Sequence, residues 1–316
     1  AGTGKPGPVV IDVPKDVFTA EGDGEYPETV AIRGYTPPGT GEPGQIKNAA
    51  AALNAAKRPL FFIGGGMHIS GAAGIFGAIQ AKTGIPVVAD FRRKDVALGG
   101  QGAPFAPAFH EFIFSNIKNT VSVVNIGGMA NITVLGEKLI GYDTGCGNVL
   151  LDMWVSEHQG VTYDEDGTWA RSGTVDYGLL DRMMSDAYFE APYPKSTGRE
   201  KFNRAWLQRH LAGHTHNPED VQRTLLELTA MSISNEVLKF NPDVTLLCGG
   251  GAKNPFLVER IKALMPNVEV AIAQNSDQIE AMTFAWLAYK RMHHEEVNLK
   301  DVTGASENAV LGGIYA

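Results

Sequence analysis

Residues Val121–Tyr142 read VSVVNIGGMANITVLGEKLIGY. Three short apolar runs, Val121–Ile126, Asn131–Leu135 and Leu139–Tyr142, are separated by tight glycine turns. Turns this short leave no room for a crossover helix, so the stretch predicts an antiparallel meander. It runs into GYDTGCGN, Gly141–Asn148, ahead of a helix expected over Val149–Trp154. Glycines bring backbone N–H groups close to an anion, and a helix N-terminus adds positive potential. Asp143, at the expected strand end, can bind a metal or take a proton. A tight turn with a polar helix cap reads equally well.

Upstream, the pattern is that of a parallel unit. PVVIDV (Pro8–Val13) reads as a strand covered on both faces, and residues 19–44 read as a connection. A helix is expected over Pro43–Lys57, with Ile46, Ala50 and Leu53 on one face, stopped by Arg58-Pro59. Leu60–Ile63 reads as a buried strand, followed by Gly64-Gly65-Gly66, a helix over Ser70–Thr83 and a strand over Ile85–Val88. Strand, glycine turn, helix and strand form a Rossmann-like unit. Beyond it, ADFRRKD (Ala89–Asp95) and the loop-like residues 99–110 resemble a ligand loop. Asp90 or Asp95 can orient a sugar hydroxyl and Arg92 can pair with a carboxylate or phosphate. A surface salt-bridge cluster is the alternative.

Downstream, a mixed helical region spans Leu150–Phe240. Its clearest helix is 218–240, capped by Asn217, with Val221, Leu225, Leu228 and Val237 inward. Strand Val244–Cys248, a glycine triplet, helix Pro255–Met265 and strand Val268–Ala273 follow. The last long helix, Gln278–Met292, turns Ile279, Met282, Trp286 and Tyr289 inward. In CGGGAKNP (Cys248–Pro255), the glycines leave room for an adenine or ribose, and Asn254 can cap the helix or bond a ligand. A plain turn is the alternative. PKSTGRE (Pro194–Glu200) lacks Walker spacing and reads as a capped helix start. Asp164–Asp166 reads as a solvated turn, His214/His216 and His293/His294 as exposed, and the four tryptophans as packing.

Composition narrows the function. Lys and Arg number 27 against 35 Asp and Glu, a formal net charge of -8, which argues against a general nucleic-acid binder. Cys146 and Cys248 have no CxxC context and read as reduced thiols of a cytoplasmic protein. No stretch is apolar enough to span a membrane. The opening AGTGKPGP is no signal peptide and lacks an initiator Met, so the true start is expected elsewhere.

From Thr83 onward the chain resembles the anhydro-N-acetylmuramic acid kinases. The matching strings are VVADFRRKDVALGGQGAP, VVNIGGMANITVL, GYDTGCGNVLLD, PKSTGREKFN, CGGGAKNP, IEAMTFAWLA and VTGAS with AVLGGIY, in family order. The resemblance implies an α/β fold, a ribonuclease-H-like lobe of the sugar-kinase, actin and heat-shock ATPase superfamily. It implies ATP, with Mg2+, phosphorylating 1,6-anhydro-N-acetylmuramic acid at O6 while water opens the anhydro ring, in cell-wall recycling. Asp143 is then the general base, and Gly145, Gly147 and Asn148 lie near the phosphates. Gly249, Gly250, Gly251 and Asn254 face the adenosine, while Asp90, Arg92 and Glu280 address the sugar. Cys146 departs from the family's usual Pro.

The front segment resembles the central domain of acetolactate synthase-like thiamine-diphosphate enzymes, on GKPGPVVIDVPKDV, RPLFFIGGGMHISGA and TGIPVV. The chain therefore reads as a hybrid: a partial Rossmann-like domain over 1–88 and a sugar-kinase-like lobe over 89–316, joined within 83–90. The kinases' phosphate loop, MSGTSxDG, does not occur, which implies impaired transfer unless Gly64–Gly66 replaces it. An apolar face left exposed by a missing lobe would promote aggregation or association as a homodimer. The alternative is a non-catalytic α/β protein with weak nucleotide or flavin binding.

Overall fold

The computed structural model describes residues 41–117, 120–274, 276 and 278–315. The strand expected at Pro8–Val13 lies outside the described residues, as does the connection from 19 up to residue 40. The chain divides into two compact units, Ala1–Ala89 with Ile314–Ala316, and Asp90–Gly313.

The first unit holds α1 (Pro43–Ala55), β1 (Phe61–Phe62), α2 (Gly66–Ile69), α3 (Ala73–Thr83) and β2 (Val87–Ala89). Phe61 pairs with Val87 and Phe62 with Val88 in parallel, so the expected strand–turn–helix–strand unit forms. Two expectations fail. The strand at Leu60–Ile63 shrinks to two residues and is not buried, Phe62 being 43% exposed. The Ile46–Ala50–Leu53 stripe is helical but exposed, and α1 buries no residue. Periodicity predicts a face; it does not supply the element that covers it.

The second unit begins with α4 (Phe91–Ala97) and α5 (Ala106–Phe114). Strands β3 (Val121–Ile126), β4 (Met129–Leu135) and β5 (Ile140–Cys146) come next. Then come α6 (Val149–Gln159), α7 (Thr168–Ser172), α8 (Tyr177–Met184), α9 (Ala187–Glu190), α10 (Arg204–Leu211) and α11 (Pro218–Leu238). The unit continues with β6 (Val244–Cys248), α12 (Pro255–Leu264), β7 (Glu269–Ile272), α13 (Ile279–Met292) and α14 (Lys300–Thr303). A last strand, β8 (Gly313–Tyr315), joins the first unit's sheet in the order β1-β2-β8.

The five-stranded sheet runs β5-β4-β3-β6-β7. β3, β4 and β5 pair antiparallel, as the glycine turns predict, while β6 joins β3 and β7 joins β6 in parallel. A meander extended by two parallel strands on the far side of its first strand is the ribonuclease-H-like topology. β6 is buried throughout and β3 nearly so, which requires cover on both faces. Alternation along β4 shows how the cover divides. Ile132 and Val134 enter the main core with Leu225, Leu228 and Ile233 of α11. Thr133 points the other way, and its hydroxyl meets His110 Nδ1 of α5 at 2.9 Å.

Several local expectations need correcting. Residues 99–110 are not all loop, because α5 starts at Ala106. β5 continues through Cys146, which puts Asp143 inside the strand rather than at its end. Asn217 makes no cap bond to the helix backbone; its amide donates to Asp220 at 3.0 Å. Tyr289 faces outward at 52% exposure, although Ile279 and Trp286 are buried as expected. Among the described residues no helix is long and apolar enough to cross a membrane.

Candidate active site

Asp143 sits where β5 is irregular. Asn131 pairs with Asp143 and Ala130 with Gly145, so Thr144 is an extra residue between them. Such a bulge re-aims neighbouring side chains. Thr144 turns inward and donates to Ala130 O at 3.2 Å. Asp143, half-buried, lines a cavity of about 300 Å³ with Gln101, Pro104, Lys195 and Ser196. Its Oδ2 accepts Ser196 Oγ at 2.8 Å and the Thr197 N–H at 3.0 Å. Its Oδ1 has no hydrogen-bond partner among the described residues. One oxygen is therefore pinned and the other is available to a proton.

The segment that pins Asp143 is PKSTG, expected to be a helix start. It is not one: the next helix, α10, begins at Arg204 under an Asn203 cap. Lys195 instead runs beneath the cavity to Glu236 of α11, with Nζ 2.6 Å from Oε1 and both side chains 5% or less exposed. Glu236 also accepts Tyr142 Oη at 2.9 Å and Lys239 Nζ at 2.6 Å. Burial pushes the Glu236 carboxyl up, but the hydrogen bonds from Lys195, Lys239 and Tyr142 outweigh it and hold it below the usual range. Burial, with the Glu236 charge, raises the Tyr142 phenol.

The start of α6 and the turn after β6 meet in a second cavity, of about 450 Å³. Asn148, Gly250, Gly251 and Asn254 line it, with Asp152, Asp164 and Gln222. Gly145, Gly147 and Gly249 do not, and their glycines have packing reasons. A Cβ on Gly147 would strike Gly127 O, and one on Gly249, at φ 80°, would strike Asn125 and Ile126. The N–H groups of Gly147, Asn148 and Val149 donate to Gly127 and Gly128 carbonyls at 2.8–3.1 Å, so the β3–β4 turn already occupies them. Asn254 caps α12, its Oδ1 accepting from Phe256 and Leu257 at 3.1 Å. Gln222 is fully buried in the cavity wall, and neither end of its amide has a partner. Asp164, expected in a solvated turn, caps α7 through Trp169 and Ala170 N–H groups. Burial raises the Asp152 carboxyl to about 6, against a smaller opposing pull from Arg199.

The remaining predicted residues line neither cavity. Asp90 precedes α4 in a left-handed conformation (φ 61°), a costly one for a non-glycine. Arg92 donates to Gly102 O at 2.5 Å and lies over Phe105, bracing the loop that carries Gln101. Asp95 is neither a surface ion pair nor a ligand group. It is buried, accepting Gly102 N–H and Thr303 Oγ1, both at 2.7 Å. Glu280 is exposed in the first turn of α13. Sequence reasoning missed Lys195, Thr197, Glu236 and Gln222. Only the hydroxyl pair between Lys195 and Arg199 gave a signal.

Residues 64–316 match the family model described as anhydro-N-acetylmuramic acid kinase. A relative of that name from Sulfurovum sp. (strain NBC37-1) is 71% identical over 240 residues, covering 75% of this chain and 67% of the relative. Another, from Aliivibrio fischeri (strain ATCC 700601 / ES114), is 51% identical over 246 residues, with the same coverage. The chain thus spans about two thirds of the relatives' length. Among solved structures, the activator of the 2-hydroxyisocaproyl-CoA dehydratase from Clostridium difficile with bound ADPNP matches 71% of this chain and 82% of its own, at 16% identity and a TM-score of 0.38. With the family model covering residues 64–316 and relatives this similar over three quarters of its length, the chain belongs to the anhydro-N-acetylmuramic acid kinase family, a family of phosphotransferases.

Proposed function

We propose that the chain uses ATP to phosphorylate 1,6-anhydro-N-acetylmuramic acid at O6 while water opens the anhydro ring. O6 gains the γ-phosphoryl group as its bond to the anomeric carbon breaks, water bonds to that carbon, and Asp143 takes the water's proton. The observation that carries this is the divided Asp143 carboxylate. Oδ2 is committed to Ser196 and Thr197, and Oδ1 is left unbonded in a residue lining a cavity. A fixed base contributes about a hundredfold or more.

ATP belongs in the second cavity. The fit rests on its glycine floor at Gly250–Gly251 and on Gln222, whose adjacent unpaired donor and acceptor suit the edge of an adenine. Gly145, Gly147 and Gly249 support these walls in this reading. Asp90, Arg92 and Glu280 belong to the sugar side. Among the described residues no group of three or more His, Cys, Asp or Glu is placed to hold a metal. Mg2+ fits as the companion of the ATP phosphates, which need only one or two carboxylates besides, and Asp152 and Asp164 line this cavity.

The wider proposal is a hybrid acting in the cytoplasm. In it the segment 1–88 derives, on its sequence, from a Rossmann-like domain akin to the acetolactate synthase central domain, and 89–316 is the kinase lobe. Exposed Ile46, Ile69, Ile75 and Ile79 support association as a homodimer. The test incubates the protein with ATP, magnesium and the anhydro sugar in 18O-labelled water. A phosphorylated, 18O-labelled product that vanishes in Asp143→Asn is expected. ATP binding without product would reduce the chain to a nucleotide binder.

A further inference from the structure

We infer that Lys195 and Glu236 are positioning residues for Asp143: their buried ion pair clamps residues 195–197 along β5, fixing Oδ2 and leaving Oδ1 for the reaction. This rests on the reading of Asp143 as the base.

Asp143 is held at three points, and each leads back to the pair. Its N–H donates to Lys195 O at 3.1 Å. Its carbonyl accepts Tyr188 Oη at 2.7 Å, and the Tyr188 carbonyl accepts Lys195 Nζ at 3.0 Å. Its carboxylate is held by Ser196 and Thr197, the two residues after Lys195. Glu236 closes the network from α11, binding Lys195 on one oxygen and Tyr142, the residue before Asp143, on the other. Neither Lys195 nor Glu236 bonds to the Asp143 side chain, so their effect on it is transmitted through the segment.

Stability alone does not account for the pair. Taking two charges out of water is costly, and apolar replacements of similar volume are often neutral or stabilising. What the pair supplies is registry. A lysine that must reach one carboxylate and the carbonyls of Tyr188 and Phe189 fixes where 195–197 lies along β5. A misplacement of about 1 Å at a reacting group can cost a hundredfold in rate.

The test uses the full chain and four variants. Lys195→Met/Glu236→Leu removes both charges together, so neither is left buried alone. Ser196→Ala removes one Oδ2 donor at an exposed position where folding is not at risk. Lys195→Arg keeps the charge, and Asp143→Asn is the control. The expected result is a fall of about tenfold to a hundredfold in kcat for the first two variants. The KM for ATP is unchanged, and Lys195→Arg recovers part of the loss. A purely structural role would move KM and thermal stability along with kcat. A folded double variant with wild-type kcat overturns the inference while Asp143 stands as base. Turnover surviving in Asp143→Asn overturns both. A crystal structure of the double variant decides the matter without turnover. Asp143 Oδ2 is expected to leave hydrogen-bonding distance of the Thr197 N–H, and its retention there overturns the clamp.

Discussion

At Asp152 a carboxylate lines the second cavity with its pKa raised to about 6 by burial. The folded state therefore holds this proton more tightly than the unfolded chain does. Stability falls as pH rises from about 4 through 6. Asp152→Asn is expected to raise the Tm at pH 7.5 and leave it unchanged at pH 4, read by paired thermal melts. Gly147 tests a different force. Its added Cβ meets a backbone carbonyl, which no rotamer change relieves. Gly147→Ala should cost about 1–3 kcal/mol in chemical denaturation. At this scale the sequence was legible where chemistry is local. The aspartate beside the DTG turn stands out, and so does the Asn254 cap before Pro255, although the same Asn-Pro pattern at Asn217 gives no cap bond. Thr197 and Glu236 were illegible because their partners lie 54 and 41 residues away, joined only by the fold.

Among the elements, α5 shows why a helix can escape sequence reading. Its N-cap position is Phe105, which offers no side-chain acceptor, and Gly99–Pro104 just before it reads as loop. The helix exists because Ala108 and Phe109 are buried and His110 reaches Thr133. By contrast the meander and α11 were readable, since glycine turns and a run of apolar positions signal them locally. Burial lowers the His110 pKa to about 4. A depressed histidine contributes stability above pH 6.5 that is lost as pH falls toward 4, roughly 3 kcal/mol across that window. His110→Asn should flatten the acid side of the stability–pH curve there, even where it lowers stability overall. On α12, Asn254→Ala removes two cap bonds and should cost about 1 kcal/mol in urea unfolding.

Across the whole molecule, burial is uneven. Helices α1 and α3 bury no residue, whereas Val123, Val124 and Leu247 in the second unit are fully buried. Amides of α1 and α3 should therefore exchange with deuterium orders of magnitude faster than those of β3 and β6. Equal protection in both sets would show that the helices are covered in solution. The change from parallel to meander pairing was visible in the glycine turns, but this contrast in burial was not. The two cysteines carry a practical consequence. Both are buried and unpaired, with thiols pushed up to about 12 by burial. Neither offers a thiolate or a path to one at neutral pH. A single cysteine introduced on the surface, for a fluorophore or a spin label, can be modified by maleimide with the native pair left in place.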